Sequence, residues 1–350
     1  MVTSGEAFGS LRTEWNRIAL PARNPFLTHE WHQAWWRAFG GDRVQALLLR
    51  DAGGRLLAGA CVVSTPRRRI ESAANYYTDD WDVVAADSSS RAAIWLEIGA
   101  LQARSLRFDA VPDGAGALQA REALTDAGYR VSMVEQQQSA YLTLPGSWDE
   151  LLAAQSGKHR GQIRRGRKRL DQEGELRLST RSSLDPGLES DLERFFQLEA
   201  SGWKGEAGTA ILADPAAKEL YAEFARLAAR RGWLRLHLLE LDGTLIAADY
   251  GCVVGNATFL LKTCFDERYS ELAPGFVLRA EAIRAAIEEG LSVYEFLGGP
   301  DPHKLRWRGE LRARMLLRAY RGTGLAAFYY RHKLRPLTAS LFRSRSGNAG

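Results

Sequence analysis

The sequence predicts an α/β fold in which one domain occurs twice along the chain. The 350 residues are enough for two domains of ordinary size. Two segments, 47–60 and 238–249, each place a turn with Asp and Gly between two apolar strands. Each is preceded by a helical segment and followed by another helix and another strand. The shared order of four elements favours duplication over the chance recurrence of a common hairpin.

The elements that flank the two hairpins follow one another in the same order in both halves. Their predicted ranges are 30–39 (helix), 88–103 (helix) and 105–111 (strand) in the first half, and 216–231 (helix), 275–289 (helix) and 291–297 (strand) in the second. The predicted division of the chain is a first domain at 1–155, a basic connecting helix at 156–175, a second domain at 176–322, and a C-terminal helix with a frayed end at 323–350.

Composition places the chain among ordinary globular proteins, because 45% of its residues are hydrophobic and 25% are charged. Its three cysteines, Cys61, Cys252 and Cys264, form no C-x-x-C pair, which argues against a disulfide framework or a zinc site. The histidines have no metal-ligand spacing either, so we predict no metal. The N-terminus lacks a secretory signal and no apolar run approaches membrane-spanning length, so we predict a cytoplasmic protein.

Basic residues are concentrated between the two halves. Seven Lys or Arg residues occur among the twelve positions from Lys158 to Arg169, in a chain whose net charge is only +5. Ile163 and Leu170 are seven positions apart and would form one thin apolar seam on a helix. Two interpretations stay open: a solvated connecting helix, and an anion-binding surface for the phosphates of a cofactor or of RNA.

The segment 258–290 combines a buried strand, a polar loop and a helix. The strand covers Phe259 to Phe265, and Pro274 and Gly275 begin the helix. The first amides of a helix have no partners within it, and a glycine lets a ligand approach the backbone closely. This terminus is therefore a candidate phosphate site, and a plain proline-started helix is the alternative.

Polar groups follow the last of these strands, 291–297. Glu295 lies among apolar neighbours, where burial raises the pKa of a carboxyl group and makes it a candidate general base. A surface Glu on an edge strand is the alternative. Lys304 and Trp307 share a short helix and are candidates to hold a ligand, with an ordinary solvated lysine as the alternative for Lys304.

The loop 199–210 places an aromatic residue and a cation, Trp203 and Lys204, between glycines. It is interpreted either as a lid or stacking surface, or as a loop whose Trp folds back onto the core. No nucleophile elbow, P-loop or dinucleotide fingerprint occurs in the chain. Without covalent or metal chemistry, direct transfer between two bound substrates is the reaction that these residues favour.

Five segments together resemble the GNAT superfamily. They are NPFLTHEWHQAWWRAFG near the N-terminus, RGQIRRGRKRLDQEGE between the halves, and GWKGEAGTA, FDERYSELAPGFVL and YEFLGGPDPHKLRW in the second half. The resemblance runs from about residue 20 to about residue 320. It points to the double-GNAT branch of BioF2-like and cellulose-biosynthesis-type acetyltransferases, relatives of the Fem aminoacyl transferases. It implies two tandem GNAT-like domains, each a mixed, mostly antiparallel sheet flanked by helices.

The resemblance implies that an acyl thioester, acetyl-CoA or another acyl-CoA, lies between two splayed strands, 257–264 and 291–297. Backbone amides at the start of the following helix would cradle its pyrophosphate. The implied cofactor-binding residues are Pro274, Gly275, Phe276 and Val277. The chain departs from the usual signature of two spaced glycines after a Gln or Arg, because ELAPGF keeps a single glycine.

In this superfamily the acceptor amine attacks the thioester directly, which needs a base for the amine and an acid for the departing thiolate. The implied bases are Glu295, Asp249 and Asp266, and the implied acids are Tyr269 and Tyr294. Lys304 is also among the candidate catalytic residues, and the resemblance implies that the helix 301–308 lies beside the thiol. The first half, as a degenerate copy, would shape the acceptor site. The implied substrate-binding residues are Trp203, Lys204, Trp307, Tyr76 and Asp79, together with Asn75.

Three functions follow from the resemblance and the residues. The first is an N-acyltransferase that moves an acyl group, in particular acetyl, from acyl-CoA to a small or saccharide-linked amine, in polysaccharide or cell-envelope metabolism. The second is a Fem-like transferase that takes an aminoacyl group from tRNA, and the third is a non-catalytic scaffold. The C-terminal LAAFYYRHKLRPLTASLFRSRSG mixes aromatic and cationic residues, so a peripheral membrane contact is an alternative to packing on the second domain.

Overall fold

The computed structural model describes residues 1–66, 68–202, 205 and 207–321. Trp203 and Lys204 of the predicted substrate site, and the predicted C-terminal helix at 323–350, lie outside the described residues. Within the described part, the α-helices are α1 Gly5–Gly9, α2 Arg12–Ala19, α3 His29–Trp35, α4 Ser88–Ala100, α5 Ala115–Asp126, α6 Trp148–Ala154, α7 Gly157–Glu173, α8 Leu188–Ser201, α9 Pro215–Arg230, α10 Pro274–Glu288 and α11 Pro302–Leu305. The strands are β1 Val44–Arg50, β2 Leu56–Thr65, β3 Arg69–Ser72, β4 Val84–Ala85, β5 Ser105–Pro112, β6 Arg130–Thr143, β7 Leu176–Arg181, β8 Leu234–Leu241, β9 Thr244–Val254, β10 Ala257–Phe265, β11 Val293–Leu297 and β12 Glu310–Tyr320. Short 3₁₀ segments lie at Leu20–Ala22, Pro25–Leu27, Gly41–Arg43, Ile211–Ala213 and Glu267–Leu272, and a π-helical turn at Trp36–Gly40.

Local signals in the sequence explain where the helices begin. Asp87 caps α4 by accepting a hydrogen bond from the Ser90 amide at 2.7 Å, and Ser156 caps α7 by accepting one from the His159 amide at 3.2 Å. Proline occupies the first position of both α9 and α10. Three of the predicted helices, 88–103, 216–231 and 275–289, correspond to α4, α9 and α10, and their ends differ from the observed ends by three residues or fewer.

One continuous sheet runs through both halves in the order β1-β2-β3-β5-β12-β6-β11-β10-β9-β8-β7, with β4 beside β2. The described strand pairs are antiparallel except for β3 with β5 and β10 with β11. These two parallel pairs are each bridged by one helix, α4 in the first half and α10 in the second. Both halves therefore have the predicted mixed, mostly antiparallel sheet flanked by helices.

β12 connects the two halves in a way that the sequence pattern does not reveal. It belongs to the predicted second domain, 176–322, yet it lies between β5 and β6 of the first half. Arg318 of β12 pairs with Arg107 on one side and with Ser132 on the other. Alternation of apolar and polar residues marks a strand and its buried face, but it carries no information about which strand is its partner.

β10 and β11 form a fork. They pair only where 257–259 lies beside 293–295, and beyond this point β10 continues along β9 while β11 continues along β6. Both strands are irregular just past the paired part, β10 between Leu260 and Lys262 and β11 between Glu295 and Leu297. Leu297 also has a positive φ of 54°, which is costly for a residue with a Cβ.

Apolar side chains cover both faces of the sheet around the fork. On one face, an aromatic-rich cluster that includes Trp31, Phe224 and Tyr250 joins α3 of the first half to α9 and β9 of the second. On the other face, residues of α10, β10 and β11 pack together, among them Leu260, Ile283 and Tyr294. The fork therefore lies between two packed layers, with α10 on one side only.

Candidate active site

A cavity of about 500 Å³ lies in the fork, on the face that α10 covers. We call it the fork groove. It is enclosed by the ends of α8 and β10, the first turn of α10, the end of β11 and the segment after it. Residues that line it include Thr263, Phe265, Gly275, Phe276, Phe296 and Trp307. The structure thus brings together the strands and the helix start that the sequence pointed to separately.

Aromatic side chains form one wall of the fork groove. Trp307 is 1% exposed, and its ring stacks on Phe276 with centroids 5.7 Å apart and meets the edge of His159 at 4.6 Å. Gln155 holds its backbone by donating a hydrogen bond from Nε2 to the Trp307 carbonyl at 3.2 Å. Trp307, predicted to bind substrate, is a packed wall of the groove, and such a wall suits an apolar chain.

The start of α10 offers one open amide rather than the three that were predicted. The amides of Phe276 and Val277 both donate to the Ala273 carbonyl, at 3.0 and 3.2 Å. Within the described residues, the Gly275 N–H makes no hydrogen bond, and the helix has no side-chain cap. Val277 points away from the groove and packs against α7, while Pro274 is buried. Ala273 adopts a left-handed conformation, and this turn directs its carbonyl to the two following amides.

A buried arginine that the sequence reasoning missed lines the fork groove. Arg279 on α10 donates to Asp249 Oδ1 at 2.8 Å and to the Tyr294 hydroxyl at 2.7 Å. Burial raises the pKa of Tyr294 to about 12, with Arg279 opposing the shift. Asp249 is therefore the ionic partner of Arg279 rather than an isolated base. A charged residue on the apolar side of a helix was the available signal in the sequence.

Lys304 holds the turn that ends β11. Its Nζ donates to the carbonyls of Leu297 and Gly299, at 2.9 and 3.0 Å, and lies 2.8 Å from Asp301 Oδ2. From the first half of the chain, Asp79 accepts a hydrogen bond from the Gly298 amide at 3.1 Å. Lys304 lines the fork groove, but its ammonium group is committed to this turn, so the contacts are those of a structural clamp.

Glu295 lies on the opposite face of β11 from the fork groove, because its neighbours Tyr294 and Phe296 pack on the α10 side. It is 2% exposed, and its Oε1 lies 2.8 Å from Nη1 of Arg312 on β12. Burial raises the pKa of Glu295 to about 7, against the opposing effect of Arg312. A carboxyl group that titrates near neutral pH has the property that a general base needs.

Two other catalytic candidates have structural contacts outside the fork groove. Asp266 accepts a hydrogen bond from the Arg268 amide at 3.0 Å and pairs with the Arg268 side chain, which lowers the pKa of Asp266. Tyr269 packs against a small apolar cluster that contains Leu170 and Leu278. Neither residue lines the cavity. They lie one and four residues beyond the end of β10, and their closeness to the strand in sequence does not bring them into the groove.

Residues 76–79 of the first half lie at the open side of the fork, away from α10. Nζ of Lys262, just past the irregular point of β10, lies 5.6 Å from the ring of Tyr76, 5.4 Å from Tyr77 and 5.5 Å from Tyr221. Tyr76 is 75% exposed. Together with the Asp79 contact to Gly298, these distances place two predicted acceptor-site residues beside the two strands of the fork.

The basic segment forms α7, which packs along α10. Gly166 makes close packing possible here, because a Cβ at this position would lie 2.9 Å from Val277. Arg167 reaches Glu281 of α10 at 3.4 Å and Asp171 of its own helix at 3.1 Å. The outward face carries exposed cations next to the helix that begins the fork groove, namely Lys158, Arg164, Arg165, Lys168 and Arg169.

The described residues contain no group of three or more His, Cys, Asp or Glu side chains that could hold a metal ion. No described helix is both long enough and apolar enough to cross a membrane.

Comparisons with known proteins agree with this architecture. Residues 157–305 match a family described as acetyltransferase (GNAT) domain. The solved structure of FemX is similar over 95% of this chain and 99% of its own, with a TM-score of 0.60 and 13% identity. The C-terminal domain (DUF2156) of a protein assigned as a lysylphosphatidylglycerol synthetase from Agrobacterium fabrum is similar over 91% of this chain and 93% of its own, with a TM-score of 0.57 and 13% identity.

A third structure, L-PGS from Bacillus licheniformis, is similar over 84% of this chain and 91% of its own, with a TM-score of 0.51 and 12% identity. At such identities these likenesses show the fold alone. No curated protein matches the sequence. The structural similarity spans both halves, whereas the family match covers the part that contains α7, the fork and the groove.

Proposed function

We propose, from the match of residues 157–305 to a family described as acetyltransferase (GNAT) domain, that the protein is an N-acyltransferase that moves an acyl group, in particular acetyl, from acyl-CoA to an amine. The observation that carries the proposal is the fork groove, which lies between two separating strands and ends at the open Gly275 amide. An acyl-CoA would place its apolar arm along Phe276 and Trp307. Its pyrophosphate would lie at the start of α10, near the cations of α7.

The acyl transfer itself needs one proton removed and one supplied. The amine nitrogen attacks the thioester carbonyl carbon, the C–S bond breaks, and the thiolate leaves with a proton. The Glu295 side chain is 2% exposed and lies on the opposite face of β11 from the groove, so it does not reach the amine directly. A water molecule therefore carries the proton from the amine to the Glu295 carboxylate. The hydroxyl of Tyr294, held by Arg279 on the groove side, supplies the proton to the thiolate.

The acceptor would enter from the open side of the fork, between the halves of the chain. Tyr76 and Asp79 lie there, beside Lys262 and the Gly298 amide. We propose a small or saccharide-linked amine as the acceptor class, with polysaccharide or cell-envelope metabolism as its setting. The three cysteines, Cys61, Cys252 and Cys264, are buried and free, which supports a reducing compartment such as the cytoplasm.

Acetyl-CoA binding tests the proposal directly. At a concentration of about 100 times Kd, a ligand stabilises the folded protein by about 2.7 kcal/mol, which raises Tm by several degrees. In Gly275→Val the added side chain would project toward Phe265 and the groove, since a Cβ at Gly275 lies 3.4 Å from the Phe265 ring. This variant should lose the shift. Gly9→Ala, at a glycine with open space around it, is the matched control and should keep it.

The exposed cations of α7 favour one second candidate, a transferase that takes its aminoacyl group from tRNA. If acetyl-CoA produces no shift in the wild type, while tRNA binds tightly and loses affinity steeply with added salt, this second function replaces the first. If neither ligand binds, a non-catalytic scaffold is the remaining function.

A further inference from the structure

A buried group of charges connects Glu295 to the first half of the chain. Arg312 and Arg314 are two residues apart on β12, so both side chains lie on the same face of the sheet as Glu295. Arg312 pairs with Glu295 Oε1 at 2.8 Å. Arg314 pairs instead with Asp80, which comes from the segment before β4. Asp80 and Arg314 are each 3% exposed, so the pair is enclosed by protein.

The two oxygens of Glu295 are in different situations. Oε1 has Arg312 as its ionic partner, while Oε2 is buried and makes no hydrogen bond within the described residues. The Asn24 side chain donates to Asp80 Oδ2 at 2.7 Å, and Arg314 donates to the same oxygen at 3.2 Å and forms a close ion pair with Oδ1. Because Arg314 is bound to Asp80, it does not form an ion pair with Glu295.

We infer that Asp80 and Arg314 are a positioning pair for Glu295: Asp80 neutralises and holds Arg314, and this leaves Glu295 with one arginine partner and one oxygen ready to receive a proton. The inference rests on the proposed role of Glu295 as the base. It assigns a task to the first half of the chain, which supplies Asp80 and Asn24 although the fork belongs to the second.

The groups that face Glu295 determine the direction of each effect. They are Arg312 and Arg314 of β12, Asp80 of the first half, and Tyr141 of β6, whose ring lies 3.9 Å from the Arg312 guanidinium. Asp80 raises the pKa of Glu295 through charge repulsion and Arg314 lowers it through attraction. Loss of the Asp80 charge would therefore expose Glu295 to two arginines, and loss of the Arg314 charge would leave two carboxylates beside one arginine.

Carboxyl NMR titration of the unligated protein tests the inference, with the Glu295 resonance assigned by comparison with E295Q. In D80N, which keeps the shape of the side chain and an acceptor for Asn24, the Glu295 midpoint should fall by about one pH unit or more. In R314Q the midpoint should rise. D82N is the matched control, since Asp82 forms a separate ion pair with Arg91 at 2.6 Å, and it should leave the midpoint unchanged.

The opposite directions of the two shifts separate this role from general damage to the fold, and each variant is informative if the other fails to fold. In the wild type and D80N, the acidic limb of the pH profile of kcat/KM should move together with the NMR midpoint. Midpoints that stay within about 0.3 units in the folded variants, or that both move the same way, would overturn the inference. Midpoints that shift as expected in a protein that does not bind acetyl-CoA would support the charge relationship and refute the proposed function instead.

Discussion

Replacing Glu295 with glutamine should change how the stability of the protein depends on pH. The folded-state pKa of about 7 lies above the ordinary value of 4.5 because the carboxyl is buried. The folded state therefore binds this proton more tightly than the unfolded state. The stabilisation from this group is complete below pH 4.5 and is lost as the pH rises through about 7. A difference of about 2.5 units corresponds to ~3 kcal/mol, at ~1.36 kcal/mol per unit.

Glutamine does not titrate, so E295Q does not undergo this loss. Between pH 5 and pH 8, the free energy of unfolding of E295Q minus that of the wild type should therefore increase by about 2.5 kcal/mol, because only the wild type loses stability. Urea unfolding at both pH values measures the difference. E289Q is the control, because Glu289 is a half-exposed carboxylate paired with Arg235 at 3.0 Å. An E295Q difference that is the same at pH 5 and pH 8 would refute the argument from burial.

Three other predictions concern activity, the clamped turn and the core. E295Q should lower kcat/KM for acyl transfer by about 10²–10⁴-fold at pH 8 and remove its acidic limb, as measured in steady-state assays; an unchanged limb would exclude Glu295 as the base. Lys304→Met should destabilise the protein by about 1–3 kcal/mol in urea unfolding, because the Leu297 and Gly299 carbonyls lose their charged donor; a cost below about 0.5 kcal/mol would argue against a clamp. Trp81→Ala should cost about 3–5 kcal/mol, since Trp81 is fully buried and stacks on Phe108 at 4.8 Å; a cost below about 1 kcal/mol would contradict this packing.

The sequence predicted the elements around the groove well because their signals are local. A proline and a glycine mark the start of α10, and apolar residues at helical spacing carry it to its end. Alternation along 293–297 correctly separates Tyr294 and Phe296 from Glu295. These features depend on neighbours within a few residues, so they can be read without knowing the rest of the fold.

Contacts between segments that are far apart in the chain could not be predicted from local sequence patterns. The pattern of residues 274–277 suggested three free amides, but the conformation of Ala273 brings its carbonyl to two of them. Arg312 and Arg314 alternate along β12 as one face of a strand, and that spacing was a signal for a shared environment. It could not show that the two arginines bind carboxylates from different halves of the chain.

The sequence by itself determined the order and type of the elements and the presence of a carboxylate, a helix start and an aromatic wall around one candidate site. The tertiary structure decided that the two halves share one sheet, that the fork encloses a groove on the α10 side, and that Glu295 lies on the opposite face beside Asp80. The physical reason is that periodicity defines which residues of one element share a face. The partner of that face is selected by packing and charge pairing among segments more than 200 residues apart, such as Asp80 and Arg314.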